Sequence, residues 1–204
     1  MIPKEYRKYA EAEAVIKKRR VQLLAEAWTP NEDKEIFKHL KDMAPFKLDQ
    51  EDVPLRIKIV ENPKYKISKL FGGAVDLSTH DCIHVLLGRG LLLKDEAFVI
   101  GYTMGSTKST PRWKRNLFMF ITKYVYPHGY RFYEEERYVF YSGVMAGGKC
   151  KTDLSAVDFS KYLDYKVSAL RQKLGVEKEL LDCYYCLERK CFPNSPESQR
   201  LPQA

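Results

Sequence analysis

Histidine is scarce in this chain, and long apolar runs are missing from it. Only four of the 204 residues are His, and no apolar stretch approaches the roughly 20 residues that a membrane-spanning helix needs. The first residues include no apolar leader region, and the glutamates among them do not fit a mitochondrial transit peptide. We therefore expect a cytoplasmic protein that is soluble or peripheral to a membrane.

Cysteine is also infrequent, and its odd count of five does not suit a complete disulfide framework. Three cysteines lie near the end of the chain, at positions 183, 186 and 191. The first two, Cys183 and Cys186, are separated by two residues, a spacing that is known from zinc sites. They lie in a predicted helix, however, and no second pair or nearby His completes four ligands. We predict free thiols in a reducing compartment, with Cys183, Cys186 and Cys191 buried or semi-buried, and a redox role for these three cysteines is the alternative.

The composition is that of a packed globular protein with a basic surface. Gly and Pro number 11 and 10, while 45% of the residues are hydrophobic, so a linker or a fibre is excluded. The formal net charge of +8 favours contact with phosphate, anionic lipid or acidic partners. The basic runs are short and diluted by acids, so we interpret them as solvated helix faces and expect no nucleic acid partner. An anionic lipid surface stays open as a partner.

Helical periodicity extends over nearly the whole chain and predicts an all-α, mainly helical bundle. We assign residues 1–190 to a single domain, with a short irregular segment where three prolines recur, and residues 191–204 to a flexible tail. Within the irregular segment, residues 55–60 alternate like a short strand. Helices are predicted over 4–27, from the cap at 29–32 to residue 43, over 76–87, from residue 95 through 105, and over 112–126, 132–146, 155–174 and 176–190.

Gly101 and Gly105 lie four residues apart inside one predicted helix. Because Gly costs about 1 kcal/mol relative to Ala in a helix interior, the pair predicts that something approaches this face closely. Packing against another helix is the preferred interpretation, and a ligand is the alternative. Arg89, just before this helix, is expected to be exposed, with a bidentate contact to an anionic group as the alternative.

Half of the histidines lie in the segment HDCIH, residues 80–84. On a helix with about 100° per residue, Asp81 and His84 point within about 100° of His80, so the three share one sector. Glu96 follows after eleven further residues, and two intervening glycines allow the chain to turn back. Two His and two carboxylates suit zinc or ferrous iron better than calcium or magnesium. By composition, this pattern arises by chance in about one chain in a thousand.

His80, Asp81, His84 and Glu96 match the pattern His-Asp-x-x-His-x11-Glu, and here the chain resembles the Coq-four family of coenzyme Q (ubiquinone) biosynthesis proteins. The resemblance implies a helical protein that binds a divalent metal, zinc first and iron as the alternative, through these four residues. It also implies peripheral membrane contact, a prenylated quinone precursor or other lipid in an apolar cavity, and a link to oxidative removal of the ring C1 carboxylate. Catalysis by the chain itself and a homo-oligomeric state are compatible with it.

Two other interpretations stay open at this point. An HD-type phosphohydrolase would gather His39, the pair His80–Asp81 and Asp158 or Asp164 around a cation that activates water. That arrangement leaves the last two positions of the motif without a role. A non-catalytic scaffold that binds lipid needs no metal at all.

Overall fold

The computed structural model of the chain describes residues 33–44, 54–61, 64–65, 71–108 and 110–202. The described residues contain no strand, only one isolated antiparallel bridge, so the all-α prediction is confirmed. No helix among them is both long and apolar enough to cross a lipid bilayer. Nine helices follow one another in this part of the chain: α1 (Ile36–Met43), α2 (Leu55–Glu61), α3 (Leu77–Leu87), α4 (Leu93–Ser106), α5 (Arg112–Tyr124), α6 (Glu134–Gly147), α7 (Val167–Leu174), α8 (Lys178–Cys191) and α9 (Pro196–Gln199).

The closest helix packing in the fold is that of α4 against α6, and glycines on both helices allow it. A Cβ atom on Gly101 would lie 2.1 Å from the carbonyl oxygen of Phe140, and one on Gly147 would lie 2.1 Å from a carbonyl oxygen of α4. At Gly105 and Gly143 the corresponding distances are 2.3 and 2.4 Å. Any side chain at these positions would overlap a backbone carbonyl. The helix contact predicted from the spacing of Gly101 and Gly105 is therefore confirmed.

Helix α3 is buried for most of its length and carries the HDCIH segment into the core. All residues from Asp81 to Leu87 are buried. The helix begins where the Asp76 carboxylate accepts a hydrogen bond from the Thr79 backbone N–H at 2.9 Å. It ends at Gly88, whose φ of 73° lies in the left-handed region. Both boundaries agree with the sequence prediction.

The short strand predicted over residues 55–60 is wrong, because this segment forms α2. In a strand, Leu55 and Ile57 would share one face. The structure instead leaves Leu55 63% exposed and buries Ile57 together with Val60. The i, i+3 spacing of the two buried residues is helical, and Pro54 precedes the first turn, where its missing N–H removes no hydrogen bond.

Helix α1 begins later than predicted. It starts at Ile36 rather than at the cap over 29–32, because Glu35 is extended and forms the isolated bridge with Lys166. Its end agrees with the prediction. The helix predicted over 4–27 lies outside the described residues.

The single helix predicted over 155–174 is also wrong, since only α7 forms there. The segment before α7 contains the 3-10 turns Leu154–Ala156 and Phe159–Tyr162. The carboxylates of Asp153 and Asp158 each accept a hydrogen bond from the backbone N–H two residues further on. Such local bonds compete with the helical hydrogen-bond pattern and end it.

The end of the chain packs on α4 and α8, where we predicted a flexible tail from residue 191. Ser198 is buried and its hydroxyl donates to Glu188 at 3.0 Å. Arg200 forms an ion pair with the buried Asp95. The structure corrects the prediction for the described part of the tail, because its polar side chains have partners on the helices.

Candidate metal centre

Helices α3 and α4 bring three of the four motif side chains together. His80 and His84 stand one turn apart on α3, with their Nε2 atoms 3.0 Å apart. The Glu96 carboxylate, near the start of α4, lies 2.9 Å from His80 Nε2 and 3.3 Å from His84 Nε2. The candidate ligand atoms of the three residues all lie within 4.8 Å of one another, which is the convergence that the motif predicts.

The separations between these atoms suit a four-coordinate cation. Tetrahedral zinc with bonds of about 2.0–2.1 Å to nitrogen and oxygen keeps its ligand atoms roughly 3.3 Å apart. The observed separations of 3.0, 2.9 and 3.3 Å are close to that value. Two imidazoles and one carboxylate are also a set that binds ferrous iron. The residues therefore fit zinc or iron.

The loop between α3 and α4 orients His84. Its Nδ1 lies 2.6 Å from the carbonyl oxygen of Gly90. Because a carbonyl oxygen only accepts hydrogen bonds, Nδ1 carries a proton, and Nε2 is the ring nitrogen that faces Glu96. Histidines that bind metals ordinarily have such a partner on the other ring nitrogen.

The charges in the site favour a protonated His80 beside an ionised Glu96. Burial lowers the pKa of His80, but the attraction of the Glu96 carboxylate and its hydrogen bond outweigh burial and raise the pKa to about 9. Burial raises the pKa of Glu96, yet the charges of His84 and His80 hold it well below its usual range. A proton would therefore compete with a metal ion for the same atoms.

Asp81, the remaining motif residue, does not join this group. It follows His80 on α3 and is buried, but its oxygens are not among the converging ligand atoms. After the larger effect of Glu96, its charge is one of those that raise the pKa of His80. The structure thus brings Asp81 near His80 without making it part of the set that the sequence predicted.

Glu61 interacts electrostatically with the same site, and the sequence analysis missed it. Its Oε1 accepts a hydrogen bond from the buried Tyr126 hydroxyl at 2.6 Å. Burial raises the pKa of Glu61 to about 7, against the Tyr126 hydrogen bond and the charge of His80, while the charge of Glu96 raises it further. Glu61 is therefore coupled electrostatically to His80 and Glu96, although its carboxyl is not among the converging ligand atoms. No sequence signal pointed to it, because Glu61 ends the helix that was mistaken for a strand.

Among the residues that the structure describes, no second group of three such side chains converges. His39 is buried on α1, whereas Asp158 and Asp164 are exposed in the segment between α6 and α7. None of them joins the candidate ligands, so the arrangement required by an HD-type phosphohydrolase is not formed.

Arg89 is buried, and the expectation that it is exposed is wrong. Its guanidinium group donates to both Glu188 oxygens, at 3.2 and 2.6 Å, and lies 4.0 Å from the centre of the Phe98 ring. The anionic partner of Arg89 is therefore a carboxylate of the chain itself.

All five cysteines are free thiols, as predicted. Cys183 and Cys191 are exposed on α8, so the prediction that they are buried or semi-buried is wrong for these two, whereas Cys186 is partly buried as predicted. These three do not form a metal-ligand group with one another or with a His.

Comparisons with known proteins give no match for this chain, whether with protein-family models, curated proteins or solved structures. The resemblance to the Coq-four family therefore depends on the motif and on the convergence of three of its side chains.

Proposed function

We propose that this chain is a Coq-four-like metal-binding protein of ubiquinone biosynthesis, which holds a prenylated ring precursor and takes part in the loss of its C1 carboxylate. The observation that carries the proposal is the convergence of His80, His84 and Glu96 at the spacing His-Asp-x-x-His-x11-Glu. A helical fold alone is compatible with many functions, so the site and not the fold is the basis of the proposal.

His80, His84 and Glu96 would hold the ion, with zinc as the first candidate and iron as the second. When bound, the ion supplies Lewis acidity, and as iron it also supplies oxygen chemistry. The chain keeps His84 in one orientation through Gly90 and shields it fully from water. Glu61, with a pKa of about 7, can hold or release a proton at its carboxyl group near neutral pH.

An anionic membrane is the partner that we propose for the exposed face of α5. Trp113, Phe120 and Tyr124 are 56%, 57% and 59% exposed, and their spacing places them on one side of the helix. Arg112 and Lys114 lie on either side of this aromatic row. Aromatic rings flanked by basic residues favour adsorption at the interface of anionic lipids. Such a contact would bring the protein to the lipid phase in which a prenylated precursor resides.

Metal analysis of the purified protein tests the proposed site. We expect one zinc or iron ion per chain in the wild type and loss of that ion from His84→Ala and Glu96→Ala. His128→Ala is the matched control, because His128 is exposed and outside the group, and it should retain the ion. A wild type without stoichiometric metal, or equal metal in all variants, would contradict the proposal.

The substrate is tested by extraction and by turnover. We expect mass spectrometry of the lipid extract to detect a prenylated aromatic compound, and the metal-loaded protein to convert a prenylated ring acid with loss of its carboxylate. A protein that binds metal but neither retains nor converts such a compound would refute the quinone assignment and leave the metal site intact.

The membrane contact is tested by flotation with vesicles. Wild-type protein should float with vesicles that contain anionic lipid, and the triple variant Trp113→Ser, Phe120→Ser, Tyr124→Ser should not. Met145→Ser on α6 is the control, because Met145 is 65% exposed and lies outside the aromatic row. If the triple variant floats like the wild type, α5 is not the contact surface.

A further inference from the structure

Residues 192–202, which we call the C-terminal strap, lie against the loop that joins α3 to α4. The guanidinium group of Arg200 packs on Gly90, where a Cβ atom would lie only 2.3 Å from Arg200 Nη2. Arg200 can therefore pack here only because residue 90 has no side chain. The carbonyl oxygen of the same residue, Gly90, is the partner of His84 Nδ1 at 2.6 Å.

Asp95 connects the strap to the first turn of α4. It is fully buried and forms an ion pair with Arg200. Its Oδ2 atom also accepts a hydrogen bond from the Leu92 backbone N–H at 2.9 Å, and Oδ1 lies 3.9 Å from the Arg89 guanidinium. One carboxylate thus joins the strap, the end of the loop and the helix turn that carries Glu96.

The strap is itself held firmly on the body of the protein. Ser198 donates to Glu188 at 3.0 Å, and Glu188 is the bidentate partner of the buried Arg89. Glu197 forms an ion pair with Lys94 at 3.2 Å. Because these groups are buried or partly buried, each loses hydration that only its partner replaces. The position of Arg200 is therefore determined by contacts on both sides of it.

We propose that the C-terminal strap is part of the metal centre and that Arg200 is a positioning residue for His84. The Gly90 carbonyl selects the His84 tautomer in which Nδ1 carries the proton and Nε2 faces Glu96. Arg200 holds Gly90 in place and, through Asp95, also holds the turn of Glu96. The metal part of this inference rests on the proposed function, whereas the effect on the His84 ring is independent of any metal.

The tautomer of His84 in the metal-free, full-length protein is the first measurement. Nitrogen–proton NMR correlations of the imidazole should show the Nδ1–H form in the wild type. We expect Arg200→Ala to give a mixture of tautomers, and Arg200→Lys to restore most of the Nδ1–H form because it keeps a cation for Asp95. Arg137→Ala removes an exposed arginine of α6 and should leave the His84 signals unchanged.

Zinc affinity, measured by competition with a chelator, is the second readout. Loss of a partner that orients a ligand lowers metal affinity roughly 10–100-fold, and we expect Arg200→Ala to fall in this range. Phe159→Leu, at the buried residue of the 3-10 turn Phe159–Tyr162, serves as a destabilised control to be compared at equal fraction folded.

Each outcome decides one part of the proposal. An unchanged His84 tautomer in Arg200→Ala, or an equal change in Phe159→Leu, would overturn the positioning role. If the His84 tautomer changes in Arg200→Ala but the wild-type protein binds no zinc, the positioning of His84 is supported and the proposed metal function is refuted.

Discussion

Raising the pH from 7 to 9 is expected to strengthen metal binding about fifty-fold, because His80 must lose its proton before its Nε2 atom can bind a cation. The Glu96 carboxylate, acting against the effect of burial, raises the pKa of His80 to about 9 in the metal-free protein. About one molecule in a hundred then has a neutral His80 at pH 7, and about half of the molecules have one at pH 9. The apparent affinity should rise with the neutral fraction.

Competition with a chelator of known proton and metal affinities, at intervals between pH 6 and 9.5, measures this dependence. The logarithm of the affinity should rise by about one for each pH unit up to pH 8 and flatten above pH 9. Glu96→Gln is the informative variant, because it removes the charge that keeps His80 protonated. Its affinity should be lower overall, since one ligand is lost, and its pH dependence above pH 7 should be weak.

Two results would refute this reasoning. A wild-type affinity that is constant between pH 7 and 9 would mean that His80 is already neutral in the metal-free protein. The same slope in wild type and Glu96→Gln would mean that the carboxylate is not what holds the proton. Either result would also contradict the close contact between these two side chains.

Three further predictions concern the stability of the fold. In metal-free protein, the pKa of His80 is higher in the folded state than in the unfolded state. Its contribution to the free energy of unfolding is therefore complete below about pH 6.5 and is lost as the pH rises through about 9. Urea unfolding should show that this free energy decreases by up to about 3 kcal/mol over this pH range. Glu188→Ala should cost about 3–5 kcal/mol in the same assay, because it removes both hydrogen bonds of the buried Arg89 guanidinium to Glu188 and leaves only the more distant Asp95 carboxylate beside that charge. Gly101→Ala should lower the free energy of unfolding by at least about 1–3 kcal/mol, whereas Gly148→Ala, whose Cβ would meet its nearest neighbours at 3.4 Å, should stay within about 0.5 kcal/mol of the wild type in thermal unfolding.

Local patterns were sufficient where neighbours along the chain decide the structure. Asp76 and Gly88 mark the ends of α3, since a helix cap needs only a suitable side chain or a left-handed residue at that position. The spacing of Gly101 and Gly105 likewise predicted a close helix contact, because it depends only on residues of one helix. It did not identify α6 as the partner helix. Three of the four predicted site residues converge because helical periodicity and a short loop determine their relative positions.

Features that depend on distant partners were not predictable from local patterns. Arg89 is buried by a carboxylate 99 positions further along the chain. Glu61 lies at the end of α2, a segment in which apolar and polar residues alternate as they do in a strand. The helical structure is recognised from the burial of Ile57 together with Val60, three residues apart. The strap has the composition of a flexible tail, yet Arg200 is retained by a buried carboxylate that no local pattern identifies.

The three candidate ligands differ in how firmly the fold holds them, and this difference determines what removal of a metal would do. The His84 side chain is fully buried and held by Gly90, whereas the side chains of His80 and Glu96 are 19% and 32% exposed. An ion would therefore reach the site from the side of His80 and Glu96. The Nε2 atoms of His80 and His84 and the Glu96 carboxylate already lie at separations within a few tenths of an ångström of those around a tetrahedral ion. Because the rest of the fold is supported by its own core, chelation should lower stability by mass action and leave the helices intact, unlike the unfolding of a zinc finger.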